Sequence, residues 1–309
     1  MKLQQLRYLC ETANQSLNLS KAAKKLYTSQ PAISKQIQQL EEELGVLIFI
    51  RNGKRIVQVT PQGEIIIQIA RKILQETENM KKAAQDYTRE GGGSLTIATT
   101  HTQARYALPP VIKRFTTLHP KVRLVLRQGS PTQISELVSS GEADIAIATE
   151  AIEHFQELIM LPCYQWNRCV VVPPDHPLLT NTVLTLKAIS QHPIITYDFA
   201  FTGRSKINQA FEREGLTPNV VLTAIDSDVI KTYVELGLGI GILAKMAFDP
   251  KRDKQLRAID ASHLFEPSTT RIGISRNSYL QGFVFDFIEM FAPHLKKAEV
   301  KSKLKNYPV

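Results

Sequence analysis

No stretch of the 309-residue chain stays apolar for the roughly eighteen residues that a membrane span requires. The opening segment, MKLQQLRYLCETANQ, is polar where a secretory signal needs its apolar run, so a cytoplasmic protein with no membrane partner is expected. Cysteine is scarce. Cys10, Cys163 and Cys169 form neither a metal spacing nor a disulfide framework, and they read as small buried apolar residues. The common enzyme signatures are missing too: there is no G-x-S-x-G elbow, P-loop, G-x-G-x-x-G or H-E-x-x-H. GLGIG at 237–241 lacks the strand before it and the helix after it that a dinucleotide site needs. Catalysis, a cofactor and a metal are therefore not expected.

Charge is unevenly spread. Of the net +9, residues 1–60 carry nine Lys/Arg against four Asp/Glu, residues 61–90 five against five, and residues 91–295 nineteen against nineteen. The tail, residues 296–309, holds five against one and reads as a solvated, partly disordered basic end. A neutral body with a basic N-terminal module implies that one part meets a polyanion while the other does something different.

The first 60 residues read as short helices. Leu3, Leu6, Cys10 and Ala13 recur at helical spacing, as do Leu19, Ala22, Ala23 and Leu26 after a candidate cap at Asn18. A third set is Ile33, Ile37, Leu40 and Leu44, opened by Ser29 or Gln30 with Pro31 in the first turn and stopped by Gly45. This is the size of a helix-turn-helix. The face opposite the apolar set carries Pro31, Ser34, Lys35, Gln38 and Glu42, while Glu41, Glu42 and Glu43 cluster in the last turn. Such a helix is either an ordinary solvated face or one that enters a major groove by its N-terminal end, with Thr28, Ser29, Gln30, Pro31, Ser34, Lys35 and Gln38 as the expected DNA contacts and the acidic end outside.

IFIRNGKRIVQVTPQG then reads as strand, Asn-Gly turn and strand, a hairpin whose tip carries Arg51, Lys54 and Arg55 for phosphate or minor-groove contact. Pro61 opens a long helical run to about Tyr87. Ile66, Ile73, Met80 and Tyr87 recur every seven residues, with Ala70, Thr77 and Ala84 four after each of the first three. That seam suits a helix of about 40 Å pairing with its own copy, or one lying on its own chain's body. A dimer presents two reading heads to double-stranded DNA.

LSKAAKKLYTSQPAISKQIQQLEEELGVLIFIRNGKRIVQVTPQG resembles the N-terminal winged helix-turn-helix of LysR-type transcriptional regulators. The likeness continues through IATTHTQARYALP, QGSPTQI, ADIAIATE, PCYQWNR, FTGRS, DVIKTYVELGLGIGI and DFIEMFAPHL, which resemble the CysB and Cbl branch of that family, over about residues 1–295. Asn18 and Leu19 depart from the Ser and Phe common in the family. The tail has no counterpart.

GGGS at 91–94 reads as a flexible break before an α/β body. LTIAT, VRLVLRQ, ADIAIAT, CVVVPP, IITY, NVVLTAI, GIGIL and RIGIS alternate with helical patterns, pointing to parallel-type sheets in two sub-domains. Several strand ends are polar: Thr99, Thr100, His101, Thr102 and Gln103; Gln128, Gly129, Ser130 and Thr132; Thr149; and Thr202, Gly203, Arg204 and Ser205. Each can be a helix cap. Together they also suit a small anion held by hydroxyls, an amide and helix N-termini. A threonine nucleophile beside His101 is disfavoured, because neighbours on a strand face opposite ways.

The resemblance implies Rossmann-like sub-domains of the periplasmic-binding-protein type, 91–163 with 268–295 and 164–267, crossing near Cys163 and Tyr164 and returning near Pro267. It implies effector contacts at Thr100, Thr102, Gln103, Thr149 and Thr202; Ser130 is added by position. It also implies an activator of sulfur-assimilation and cysteine-biosynthesis genes, working as a homodimer or homotetramer on promoter DNA with RNA polymerase. The implied inducer is an acetylserine, with sulfate or thiosulfate able to bind. A Cbl-like role in sulfonate or sulfate-starvation genes and a small-anion solute-binding protein are the alternatives; the latter leaves the basic module unexplained.

Overall fold

The computed structural model describes residues 1–53, 55–87, 92–149, 158–180, 182–199 and 204–306. The chain divides into two compact units, residues 1–87 with 277–279, and residues 88–276 with 280–309. Among the described residues no helix is long and apolar enough to cross a membrane.

In the first unit α1 (Leu3–Asn14), α2 (Leu19–Lys25) and α3 (Gln30–Leu44) bury Leu6, Leu9, Ala22, Ile33, Ile37 and Leu40 in one core. Asn18 caps α2 by accepting the Lys21 amide at 3.0 Å, and Ser29 caps α3 by accepting that of Ala32 at 3.3 Å, each satisfying a first-turn donor. Gly45 stops α3 at φ 69°. Three residues differ from the pattern reading, the first being Leu3, which is exposed in the opening turn of α1. Leu44 is exposed because α3 runs one turn past the core that Leu40 closes, and Glu41 is buried. Glu41 tolerates burial because its Oε1 accepts the amides of Ile48 and Phe49 at 2.9 and 3.0 Å.

β1 (Phe49–Asn52) and β2 (Arg55–Val59) form the antiparallel hairpin, and α4 (Pro61–Tyr87) follows. The seam expected along α4 differs from the observed one. Ile66 and Ile73 are half-buried against the core beneath α1, with Ile67 and Ala70 fully inside it. The apolar side chains left in solvent are Ile65, Ile69 and Met80, at 61, 52 and 73% exposure. A seven-residue repeat marks a buried stripe but not its partner, and here the chain's own first helix takes the upper half. The side chain of Tyr87 lies outside the described residues.

The second unit holds two five-stranded sheets among its described residues. One, ordered β4-β3-β5-β12-β6, is built from β3 (Gly93–Thr99), β4 (Val122–Gln128), β5 (Ile145–Thr149), β6 (Leu158–Trp166) and β12 (Ser268–Ser275). The other, β11-β7-β10-β8-β9, uses β7 (Arg168–Val172), β8 (Ile194–Tyr197), β9 (Val220–Ala224), β10 (Ile240–Ala244) and β11 (Arg257–Asp260). β3 runs parallel to β4 and β5, and β8 to β9 and β10, whereas β12 and β7 pair antiparallel with both their neighbours. The sheets are therefore mixed rather than parallel throughout. β6 and β11 escaped the sequence reading because LIMLPCYQW is broken by Pro162 and RAID faces largely outward.

β6 pairs with β12 as far as Trp166 opposite Ser268, so the chain leaves the first sheet at Asn167 and not near Cys163. The chain comes back to the first sheet between Asp260, the end of β11, and Ser268, the start of β12. Gly93 and Ser94, expected in a flexible break, begin β3; a Cβ on Gly93 would lie 2.9 Å from the Phe283 ring. The tail differs as well. α11 (Lys297–Asn306) buries Val300 and rests Leu304 on the first sheet's core, because these two residues recur one turn apart, while Lys297 and Lys301 lie over Phe285.

Candidate functional site

In the first unit α3 presents Pro31, Lys35 and Gln38 exposed on one side, with Gln30 and Ser34 half-buried beside them and Thr28 half-buried ahead of the Ser29 cap. Arg55 is exposed on the hairpin; Lys54 lies outside the described residues. Arg51 turns inward. Its Nη2 lies 3.0 Å from Glu41 Oε2 and its Nη1 donates to Ser34 Oγ at 3.2 Å. The hairpin is thus clamped to α3, and the Arg51 charge is neutralised inside the unit.

In the second unit, Thr100, Thr102, Gln103 and Thr149 from the first sheet's side line one narrow cleft with Trp166, Tyr197 and Ile225. Thr99 faces away, its hydroxyl donating to the Ile147 carbonyl at 2.8 Å. After His101 and Thr102 the helix widens into a π-turn over Gln103–Ala107 before α5 (Leu108–Leu118). Pro109 and Pro110 lack amide hydrogens and their rings crowd the carbonyls four residues back, which a wider turn relieves. The turn drives Gln103 inward: its Nε2 donates to Thr270 Oγ1 at 3.1 Å, and its Oε1 accepts from Tyr164 at 2.6 Å. Thr149 stands opposite Thr270 in the β5–β12 ladder.

Tyr197 closes the cleft from the second sheet. Its hydroxyl is hydrogen-bonded to Thr102 and, at 2.6 Å, to Ser227, and it accepts the Ala244 amide at 3.2 Å; burial pushes its pKa up against these bonds. The Trp166 indole N–H, a donor with no acceptor capacity, is buried at the cleft with no hydrogen-bond partner among the described residues. Ser130 is not in the cleft. It caps α6 (Pro131–Ser139), accepting the Gln133 amide while the Gln133 side chain accepts the Ser130 amide. Thr202 lies outside the described residues.

Beside the cleft, Tyr106 donates to Asp228 Oδ1 at 2.6 Å, Arg105 Nε lies 3.3 Å from Asp228 Oδ2, and Lys231 bridges Asp228 and Asp253 at 3.2 and 2.9 Å. Burial lifts the Tyr106 pKa to about 12, helped by the Asp228 hydrogen bond. His101, Asp226 and Asp228 bring ligand atoms within 4.8 Å of one another. This is a poor cation site: Asp226 caps α9 (Ser227–Glu235) and two cationic side chains already hold Asp228.

Two family descriptions match the chain: "Bacterial regulatory helix-turn-helix protein, lysR family" over residues 3–64 and "LysR substrate binding domain" over residues 88–296. The chain belongs to the LysR family of transcriptional regulators. It is 52% identical to the HTH-type transcriptional regulator SsuR of Burkholderia cenocepacia over 99% of both chains. It is also 52% identical to CysB of the same organism, over 99% of this chain and 97% of that one. The regulator cbl of Klebsiella aerogenes is 46% identical over 97% of this chain and 95% of its own. The crystal structure of the cofactor-binding domain of the Cbl regulator matches with a TM-score of 0.69 at 44% identity, over 71% of this chain and 96% of that one. Full-length CbnR complexed with its target DNA shares the fold, with a TM-score of 0.61 at 19% identity, over 94% of this chain and 99% of that one.

These LysR-family relatives are DNA-binding transcriptional regulators and not enzymes, in line with the sequence reading, and the helix-turn-helix match removes the stand-alone solute-binding alternative. Three cleft residues were not singled out from the sequence. Tyr197 ends the strand IITY and was open to the reasoning that picked out the threonines; Trp166 and Ile225 carry no such signal, since only the fold brings them to the cleft.

Proposed function

We propose that this LysR-family regulator controls genes of sulfur assimilation and cysteine supply in the cytoplasm, as an activator responding to a small anion. Acetylserine, as the N- or O-acetyl form, is the inducer in this reading, and sulfate or thiosulfate share the site. The observation that carries it is the convergence of Thr100, Thr102 and Thr149 on Tyr197 across one cleft, joined to the likeness to CysB and SsuR. Hydroxyls facing each other from two sub-domains favour a closed form when an oxyanion or carboxylate bridges them. The DNA contacts assigned are Thr28, Ser29, Gln30, Pro31, Ser34, Lys35, Gln38, Lys54 and Arg55. Paired reading heads come from a homodimer, two of which form a tetramer that engages RNA polymerase.

Calorimetric titration of the full chain with N-acetylserine, O-acetylserine, sulfate, thiosulfate and adenosine phosphosulfate tests the reading. Saturable binding of an acetylserine is expected, and Thr149→Val is expected to weaken it at least about tenfold while leaving operator affinity without effector unchanged. No binding of any of these anions sinks the effector assignment. Preferred binding of adenosine phosphosulfate would replace acetylserine as the effector in this reading.

A further inference from the structure

Between Thr149, Trp166 and Tyr197 the cleft encloses about 20 Å³, room for about one water. A molecule the size of an acetylserine therefore requires the two sub-domains to part. The contacts that cross between them decide how readily this happens.

These contacts are of two kinds. Inside the cleft the Thr102 and Tyr197 hydroxyls are hydrogen-bonded to each other, and a ligand that separates them can take over their bonds. Beside the cleft, Tyr106 of the π-turn lays its ring against the second sub-domain's core, which includes Ile230 and Ala247, and donates to Asp228 Oδ1 at 2.6 Å. Arg105 reaches the other carboxylate oxygen at 3.3 Å. Lys231 Nζ, 5.4 Å from the centre of the Tyr106 ring, is itself fixed by Asp253 and by the Ala247 carbonyl at 3.0 Å. Neither Tyr106 nor Asp228 is among the described residues that line the cleft, so a ligand there does not replace their bond once it breaks.

The inner and outer contacts separate together. On one side Thr102 caps the same π-turn, Gln103–Ala107, that carries Tyr106. On the other, Tyr197 is hydrogen-bonded at 2.6 Å to Ser227, the neighbour of Asp228 in the first turn of α9. Moving Thr102 away from Tyr197 thus carries Tyr106 away from Asp228.

We infer that Tyr106 and Asp228 form a latch that holds the two sub-domains shut and opposes admission of the effector, setting its affinity without touching it. The inference rests on the reading of this cleft as the effector site. Apparent affinity falls in proportion to the fraction of molecules able to accept the ligand, and the latch keeps that fraction small. Tyr106 and Asp228 are in this sense positioning residues, and the hydroxyls of the cleft remain the contacts.

The first test uses the full chain and no added ligand. The chain's single tryptophan is Trp166, whose indole N–H is buried at the cleft, so its fluorescence reports parting of the sub-domains. Tyr106→Phe keeps the ring and removes only the bond to Asp228; redder emission and steeper acrylamide quenching than in the wild type are expected. Arg105→Gln alters a half-exposed side chain and should move both readings the same way by less.

Calorimetry with N-acetylserine and sulfate gives the second reading. Tyr106→Phe is expected to bind N-acetylserine about tenfold more tightly, since a hydrogen bond to a charged group no longer opposes opening. Tyr106→Phe combined with Asp228→Ala should match Asp228→Ala alone, because both remove one bond. Unchanged emission and quenching in Tyr106→Phe overturn the latch. So does weaker N-acetylserine binding, which would make the pair a support of the bound form, and so do additive effects in the double variant. If Tyr106→Phe unfolds, Arg105→Gln decides, and emission and quenching unchanged in that variant overturn the latch. A wild type that binds neither anion removes the effector reading alone, and the fluorescence still decides whether the latch exists.

Discussion

The guanidinium of Arg51 lies 3.0 Å from the Glu41 carboxylate, inside the junction between the hairpin and the helix that carries Lys35 and Gln38. Glu41 also receives two backbone amides from the segment leading into the hairpin. One buried carboxylate therefore fixes the angle between α3 and the hairpin, the two elements proposed to contact DNA. Replacing Glu41 by Ala strands two amides and a guanidinium, and should cost the first unit about 3–5 kcal/mol. Arg51→Ala should cost less, about 1–2 kcal/mol, because the amides keep their acceptor. Urea unfolding of both variants gives the comparison; equal and small losses would show that the clamp is not structural.

Lys35 and Arg55 are exposed cations of the face proposed to read DNA, whereas Arg51 is half-buried against Glu41. Every phosphate that a side chain neutralises adds about 0.9 to the steepness with which log affinity falls against log salt. Lys35→Ala and Arg55→Ala should each weaken operator binding and flatten that slope by about one. Arg51→Ala should reduce affinity through misplacement of the hairpin, with the slope retained. Fluorescence anisotropy over a salt series reads both quantities, and a flattened slope for Arg51→Ala would mean that its charge does reach the DNA backbone.

The Tyr106–Asp228 hydrogen bond joins the π-turn to α9 and sets a pH dependence. Burial works against ionisation of Asp228, but hydrogen bonds from Tyr106 and Lys231 and the charge of Arg105 outweigh it, leaving the pKa below the ordinary carboxylate value of 3.8. A depressed folded value gives stabilisation that is complete above the unfolded pKa and lost as pH falls through the folded one. The stability difference between wild type and Asp228→Asn should therefore be full near neutral pH and shrink in the acid range below 3.8. Lys231 behaves oppositely. Burial lowers its pKa, but Asp253 and Tyr106 raise it further above 10.5, so its contribution persists to that pH and fades only in stronger alkali. Denaturation curves across pH check both, and a difference constant into acid would remove Asp228 from the account.

Local chemistry was legible in the sequence wherever it was one-dimensional. The caps at Asn18 and Ser29, the Gly45 stop and the two strands of the hairpin follow from residue type and spacing alone, and all stand in the structure, although Asn52 ends β1 opposite Arg55 and does not lie in the turn. The hydroxyl wall of the cleft was legible for the same reason, since Thr149 ends β5 and Thr100 and Thr102 follow the end of β3 within three residues. What escaped depends on partners distant in sequence. Glu41 looked like a solvated acid until two amides and Arg51 enclosed it, and Ser130 resembled the other strand-end hydroxyls yet only caps its own helix. The tail looked disordered by charge, while Val300 and Leu304 had a core waiting for them. The strands β6 and β11 needed the opposing strands to define them.

Self-association along α4 is to be sought on the face that the first unit's own core leaves uncovered. Ile73 packs against the first unit's own core, so Ile73→Glu should destabilise that unit whether or not the chain self-associates. Ile65 and Ile69, four residues apart on one face and largely exposed, are the apolar pair free to meet a second copy. Ile69→Glu should leave the unfolding midpoint of the single chain nearly unchanged while lowering the mass in solution. It should also weaken binding to a two-half-site operator far more than to a single half-site, because one reading head is lost from each complex. Light scattering and operator titrations on the two variants separate the cases. An Ile69→Glu protein of unchanged mass would place the self-association surface elsewhere, whereas an Ile73→Glu protein that dissociates with its stability intact would restore the seam that the seven-residue repeat first suggested.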